Sequence, residues 1–208
     1  MSITLTKTLA ASLTAAALAC TALAAQAQQE GPWMVRARAV NLDSANSDST
    51  GLGLSINNKV IPEVDISYFI TPNIATELIL TYPQSHDIRS NGSKIGTLKH
   101  LPPTLSLQYH FIPNGTFRPY VGLGVNFTNF SEVKFDSAVD TALHPSTDNT
   151  SWGLSAQIGA DYQIAKNIYL NVDVKKVQIG TKIYSSGTEV GKFKVDPLLI
   201  GVGVGMRF

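Results

Sequence analysis

The side chains best able to do chemistry in this 208-residue chain are its ionisable and nucleophilic residues, and they fall into two groups. Hydrolysis by a serine needs a base and an acid within hydrogen-bond reach of the nucleophile. Ser106 and His110 share a parity but stand four residues apart, about 13 Å along a strand at roughly 3.3 Å per residue. His86, His100 and His144 fall in or beside polar stretches between apolar segments. No triad follows from that spacing, and no catalytic residue is expected. Cys20 is the sole cysteine, and four scattered histidines without a second cysteine have no zinc-site spacing. Neither a metal nor a cofactor is expected.

The second group is larger. Arg36, Arg38, Glu63, Asp65, Glu77, Arg118, Asp161, Asp173, Lys175 and Arg207 each take the parity opposite to the large apolar residues of their own segment. Charges repeated at i and i+2 on one face of a strand can pair across a narrow enclosed space, which is structural or gating chemistry rather than catalysis.

The elements that would position them have period two. Alternation recurs in eight segments, roughly 33 to 42, 59 to 70, 74 to 83, 102 to 112, 117 to 130, 150 to 164, 167 to 178 and 193 to 208. In the final one, Leu198, Ile200, Val202, Val204, Met206 and Phe208 oppose Leu199, Gly201, Gly203, Gly205 and Arg207. Connections alternate in length. Those near 71 to 73, 113 to 115 and 165 to 167 are tight, and those at 43 to 58, 84 to 101, 131 to 149 and 179 to 192 are long and polar. An even number of strands of about ten residues with this asymmetry predicts an all-β chain: an eight-stranded antiparallel transmembrane β-barrel with short periplasmic turns and long extracellular loops.

Alternation alone does not say which face is outside, because a soluble barrel has the same pattern inverted. The charged face supplies the sign. A basic residue facing lipid at mid-depth costs about 2 to 4 kcal/mol, so the uncharged face is the lipid face and the charges point inward. Aromatics agree. Trp33, Tyr68, Tyr109, Phe111, Tyr162 and Phe208 gather near the short turns, and Tyr82 and Trp152 near the long loops, as two interfacial girdles would. An open edge in hydrocarbon would leave backbone groups unsatisfied, so the sheet closes. Inward glycines such as Gly122, Gly124, Gly159, Gly201, Gly203 and Gly205 either narrow the lumen or leave space for a small ligand. Apolar residues within the long loops, among them Ile95, Leu98, Val133, Phe135 and Leu143, either line a mouth or pack the loops on themselves.

Composition bounds the partners. A hydrophobic content of 44% and a charged content of 15% argue for a folded chain, and a net charge of +1 leaves no basic field for nucleic acid. Residues 1–27 read as a cleaved signal peptide: Lys7, an Ala- and Leu-rich run from Leu9 to Ala19, then Ala25-Gln26-Ala27. Leu18 stands one place from where a lipobox ending at Cys20 would want it. The barrel then occupies 28–208, in the bacterial outer membrane with lipid around it.

Four strings in order have a family likeness: Leu101-Pro102-Pro103-Thr104-Leu105, Phe117-Arg118-Pro119-Tyr120-Val121-Gly122, Gly159-Ala160-Asp161-Tyr162, and Asp196-Pro197 through Arg207-Phe208. They resemble the OmpW family over nearly the whole mature chain, and Ser106 to His110 with Leu170 to Val174 resemble its alkane-importing AlkL branch. The resemblance implies a passive channel for small hydrophobic molecules with lateral release through the wall, and a terminal Phe208 recognised by barrel-insertion machinery. It also implies that Ile79 is an aliphatic constriction and that Lys175 replaces a tryptophan found in some members, so that with Asp173 it makes the lower lumen polar. The alternative reading is a non-conducting structural or adhesive barrel acting through its surface loops.

Overall fold

A computed structural model describes residues 30–208, so the expected signal segment and Cys20 lie outside the described residues. Strands and turns account for almost everything described. In chain order the strands are β1 (Trp33–Asp43), β2 (Ser47–Asp48), β3 (Leu54–Ile56), β4 (Lys59–Phe69), β5 (Ile74–Leu80), β6 (Gln84–Ser90), β7 (Ser93–Leu101), β8 (Thr104–His110) and β9 (Phe117–Phe135). They continue as β10 (Pro145–Thr147), β11 (Thr150–Ala165), β12 (Ile168–Val177), β13 (Gly180–Ser185), β14 (Thr188–Lys194) and β15 (Leu198–Arg207), with one short helix, α1 (Ser137–Leu143).

Eight of these close into an antiparallel barrel in the order β1, β4, β5, β8, β9, β11, β12, β15 and back to β1. The seam of the chain ends is paired: Trp33 N–H donates to the Phe208 carbonyl at 3.0 Å, and Phe208 N–H to the Trp33 carbonyl at 2.8 Å. Closure satisfies the backbone without water. The apolar parity faces out, as Leu107, Leu123, Leu154, Ile158, Val172 and Val202 are exposed. Trp33 and Tyr68 meet as tilted rings with centroids 4.8 Å apart near the short turns, and Phe127 and Trp152 likewise at 4.8 Å near the other end. Tyr109, Phe111, Phe117, Tyr162 and Phe208 are further outward aromatics on the short-turn side, the first four at about half exposure.

The long connections are not irregular, and here the expectation of polar loops needs correcting. Segment 84–101 is a hairpin, β6 with β7, and β7 pairs with the upper part of β9. Segment 179–194 is a second hairpin, β13 with β14, which joins β10 and β2 in a four-stranded sheet. Asn91-Gly92 and Ser186-Gly187 turn these hairpins with positive φ at both central residues, the geometry that matches strand twist in a two-residue connection. The expected final segment starting at 193 is therefore two elements, since Phe193 and Lys194 belong to β14 and the last barrel strand begins at Leu198.

These extensions bury their own apolar core. Leu54, Ile56, Ile88, Leu98, Phe130, Val177, Ile179, Ile183, Phe193 and Val195 pack together above the barrel, with Ile95, Val133 and Phe135 against them. α1 buries none of its residues, and Leu143 stays exposed. The barrel interior thus continues outward as an apolar-cored sheet stack.

Candidate functional site

Four layers fill the interior from the short-turn end upward. At the floor, Arg118 grips Glu30 with two hydrogen bonds of 3.0 Å, and Tyr169 and Gln163 also donate to that carboxylate. Arg207 lies 3.8 Å from it and donates to the Gly31 carbonyl. Partial burial would raise the Glu30 pKa, but hydrogen bonds from Arg118 and Tyr169 and the charges of Arg118 and Arg207 outweigh that and hold it below its ordinary value. The expected lumen residue Arg118 therefore anchors the segment that precedes β1 rather than joining the main charged layer. His110 lies above, between the rings of Phe69 and Tyr120 and hydrogen-bonded to Gln108.

The second layer is ionic. Arg36 on β1 takes both oxygens of Asp161 on β11, at 2.9 and 2.7 Å, with β12 and β15 between them around the barrel, and it also reaches Asp65 at 2.8 Å. Arg38 lies 3.0 Å from Glu63, 2.8 Å from Asp65 and 3.2 Å from Glu77. Lys175 lies 3.5 Å from Glu63 and 3.7 Å from Asp173. The three cations Arg36, Arg38 and Lys175 face five carboxylates, and neutral donors make up the difference: Tyr120 to Asp173, Asn171 to Asp161 and Gln157 to Glu77. Contacts such as Gln157 to Glu77 cross the lumen, so the layer spans it. A buried ion pair survives only when hydrogen bonds satisfy its remaining lone pairs, and the neutral donors meet that need at Asp173, Asp161 and Glu77, whereas Arg38 Nε and Asp65 Oδ2 have charge contacts alone.

Glycines on the inward parity make room for these side chains, which decides between the two expectations for them. A Cβ at Gly203 or Gly205 would run into Arg38 or Arg36, one at Gly159 into the Tyr120 ring, and one at Gly124 to within 2.5 Å of the Leu105 carbonyl. Gly124 thus lies against the wall and does not open onto free space.

The third layer is apolar. Val40, Leu42 and Ile61 cluster with Leu199 on top of the ions, and Leu42, Ile61 and Leu199 join Ile79, Val177 and Ile179 around a cavity of 20 Å³ that Glu63 and Lys175 bound from below. That is about the space of one water. Thr81, His100, Pro102, Thr104 and Asn126 complete its lining. The fourth layer is the apolar core of the extensions, which shares Val177 and Ile179 with this one.

Beside the cavity the barrel wall is interrupted. The β4–β5 ladder stops at Val64 and Leu80, while Lys59 to Glu63 remain paired to β1 alone. Across the gap only side chains bridge: Thr81 Oγ1 to the Pro62 carbonyl at 2.9 Å, Lys59 Nζ to the Ser85 carbonyl at 3.2 Å, and the Asn57 side chain to the Asp87 N–H. The neighbouring β5–β8 ladder stops at Ile79 and Thr104 and resumes at Gln84 and His100. Pro62, Pro83, Pro102 and Pro103 flank the interruption, and proline has no N–H to extend a ladder. Asn126 Nδ2 reaches the carbonyls of Pro102 and Pro103, at 3.2 and 3.1 Å, from inside. Pattern reading overlooked Asn126, although a buried amide beside a Pro-Pro step is a signal that backbone carbonyls there need a donor.

The chain is similar to known proteins in sequence and in fold. The chain is 38% identical over 187 residues, 85% of its length and 80% of the relative's, to an uncharacterised outer-membrane protein, y4mB, of Sinorhizobium fredii. It is 29% identical over 163 residues, 74% of its length and 69% of the relative's, to outer membrane protein AlkL of Ectopseudomonas oleovorans. The crystal structure of outer membrane protein OprG from Pseudomonas aeruginosa superposes with a TM-score of 0.75 at 26% identity, covering 86% of this chain and 97% of that one. The OmpW family model matches residues 3–208, and this chain, a bacterial outer-membrane β-barrel, belongs to the OmpW family.

Proposed function

We propose that the barrel is a passive channel that carries small hydrophobic molecules through its apolar upper interior and releases them sideways into the membrane. One observation carries this reading: a small cavity walled mainly by apolar side chains stands on a layer of ions beside a break in the wall. An apolar solute entering from outside is drawn off water by about 25 cal/mol for each Å² it buries. Descent ends at the ions, since paired charges gain nothing from an apolar neighbour and would lose hydrogen bonds by parting. The wall break leaves the lipid as the favourable way out. In the same reading Ile79, 3% exposed and lining the cavity, is the constriction. Phe208 is the residue that insertion machinery recognises. Similarity to AlkL supports the choice of solute class.

The test is uptake of a lipophilic dye or a medium-chain alkane by cells that express the protein, its Ile79→Trp variant, or neither. Faster entry with the unaltered chain, reduced by Ile79→Trp at equal amounts of inserted barrel, is the expected result. Equal rates in all three would favour the non-conducting structural or adhesive barrel.

A further inference from the structure

Behind the wall break lies a cluster of polar groups that the channel reading leaves unused. His86 on β6 and His100 on β7 stack with ring centroids 4.8 Å apart and planes 18° from parallel, and Gln84 pairs with His100 in register. All three side chains are at most 1% exposed. Both ring nitrogens of His100, Nε2 of His86 and Oε1 of Gln84 have no hydrogen-bond partner among the described residues. A buried polar atom left unpaired costs about 1 to 3 kcal/mol, so four in one place need an explanation. His100 borders the cavity, and Thr81, which accepts from Gln84 Nε2, borders it too.

The chemistry of the free atoms is specific. His86 Nδ1 lies 3.0 Å from the Asn57 carbonyl, which can only accept, so Nδ1 carries the proton and Nε2 presents a lone pair. Burial, with His86 and Lys59 nearby, lowers the His100 pKa to about 3, so this ring is neutral and offers one lone pair and one N–H. With Gln84 Oε1 the cluster presents mostly acceptors. Its best complement is a group that donates one hydrogen bond and accepts others, which is a hydroxyl.

We infer that His86, His100 and Gln84 form a head-group site behind the wall break, and that the solutes this passage takes best are uncharged apolar molecules carrying one hydroxyl, such as medium-chain alcohols or alkyl phenols. The inference rests on the channel reading and narrows its solute class. The hydroxyl docks on His100 in the one-water cavity, and the tail follows between Leu42, Ile61, Ile79 and Leu199, which must part to admit it. From there the tail meets lipid first through the break, at the level of the outward aromatic Tyr82, and the hydroxyl stays at the interface where an amphiphile is most stable.

Two measurements on the full barrel test this. In lipid nanodiscs, the histidine ring nitrogens are followed by NMR while decanol, decane or decyl methyl ether is added. In cells, entry of decanol and decane is timed for the unaltered chain, His100→Phe and His100→Gln. Decanol is expected to shift the His100 and His86 signals, and decane and the ether, which donates nothing, to leave them in place. His100→Phe should lower the ratio of decanol to decane entry about twofold to tenfold, the worth of one hydrogen bond, with His100→Gln restoring most of the loss. Silence of the ring signals towards decanol, an equal response to the ether, or equal slowing of both solutes would overturn the site. Expression-dependent decane entry with silent rings would leave the channel standing without it. Responsive rings with no expression-dependent entry of either solute would leave the site standing and remove the channel. The NMR arm uses the unaltered chain, so a misfolded variant does not spare the proposal.

Discussion

Individual side chains inside this barrel act through their partners. Arg38 touches Glu63, Asp65 and Glu77, all at most 5% exposed. Arg38→Leu removes the cation and leaves those carboxylates together, so a loss of about 3 to 5 kcal/mol is expected, read as a lower urea midpoint for the folded form. Replacing Glu77 as well should recover part of that loss. Ile79 makes a steric case instead. Ile79→Ala widens the cavity and should speed entry of an apolar reporter at a stability cost of about 2 to 5 kcal/mol, whereas Ile79→Trp should slow entry and overpack the layer by about 1 to 3 kcal/mol. Entry that responds to neither change would place the route elsewhere. Gly124→Trp is a poorer probe of the same question, because even a Cβ there presses on the β8 backbone.

Among the elements, the β6–β7 hairpin has a stability that depends on pH in the mildly acid range. Burial, followed by the nearby His86 and Lys59, holds the His100 pKa at about 3 in the folded chain, against an ordinary 6.5; burial and Lys59 lower His86 too, opposed by the Asn57 carbonyl and Asp87. Between those values the open hairpin binds protons that the folded one does not, so its stability falls as pH drops through about 6.5 and continues to fall towards 3. The protection of the amides in Gln84 to Leu101, taken relative to the intrinsic exchange rate at each pH, should fall over that interval, and His100→Phe should flatten the dependence. The same hairpin illustrates a legible signal passed over: Asn91-Gly92 at the centre of segment 84–101 is a two-residue turn sequence, and reading the segment as a polar loop ignored it.

For the whole molecule the membrane sets the geometry. Trp33 and Trp152, the only tryptophans, are both exposed and lie towards opposite ends of the barrel. Their fluorescence should therefore be quenched more by lipids brominated near the head group than by lipids brominated at the chain terminus. Each single-tryptophan variant, Trp33→Phe or Trp152→Phe, should preserve that order. Stronger quenching from the bilayer centre would put the aromatic girdles, and with them the depth of the wall break, in the wrong place. A folded barrel should also migrate faster before boiling than after on a denaturing gel, since its closed ladder resists the detergent.

Alternation was enough to read the eight barrel strands, their turns and the inward parity of the charges, because strand side chains alternate strictly and lipid penalises a charge on the wrong face. Local sequence therefore determined which residues point inward. It did not determine which inward residues meet. Arg36 finds Asp161 across 125 positions and Arg38 finds Glu63, while Arg118, of the same parity, turns to Glu30 at the floor. Those pairings depend on closure, stagger and depth, which no segment carries alone. The wall break, the apolar core over the mouth and the stacked His86 and His100 likewise arise where strands distant in sequence stop pairing or come together. Only the closed tertiary structure decides that these strands stack an apolar cavity on a layer of paired charges beside an interruption in the wall.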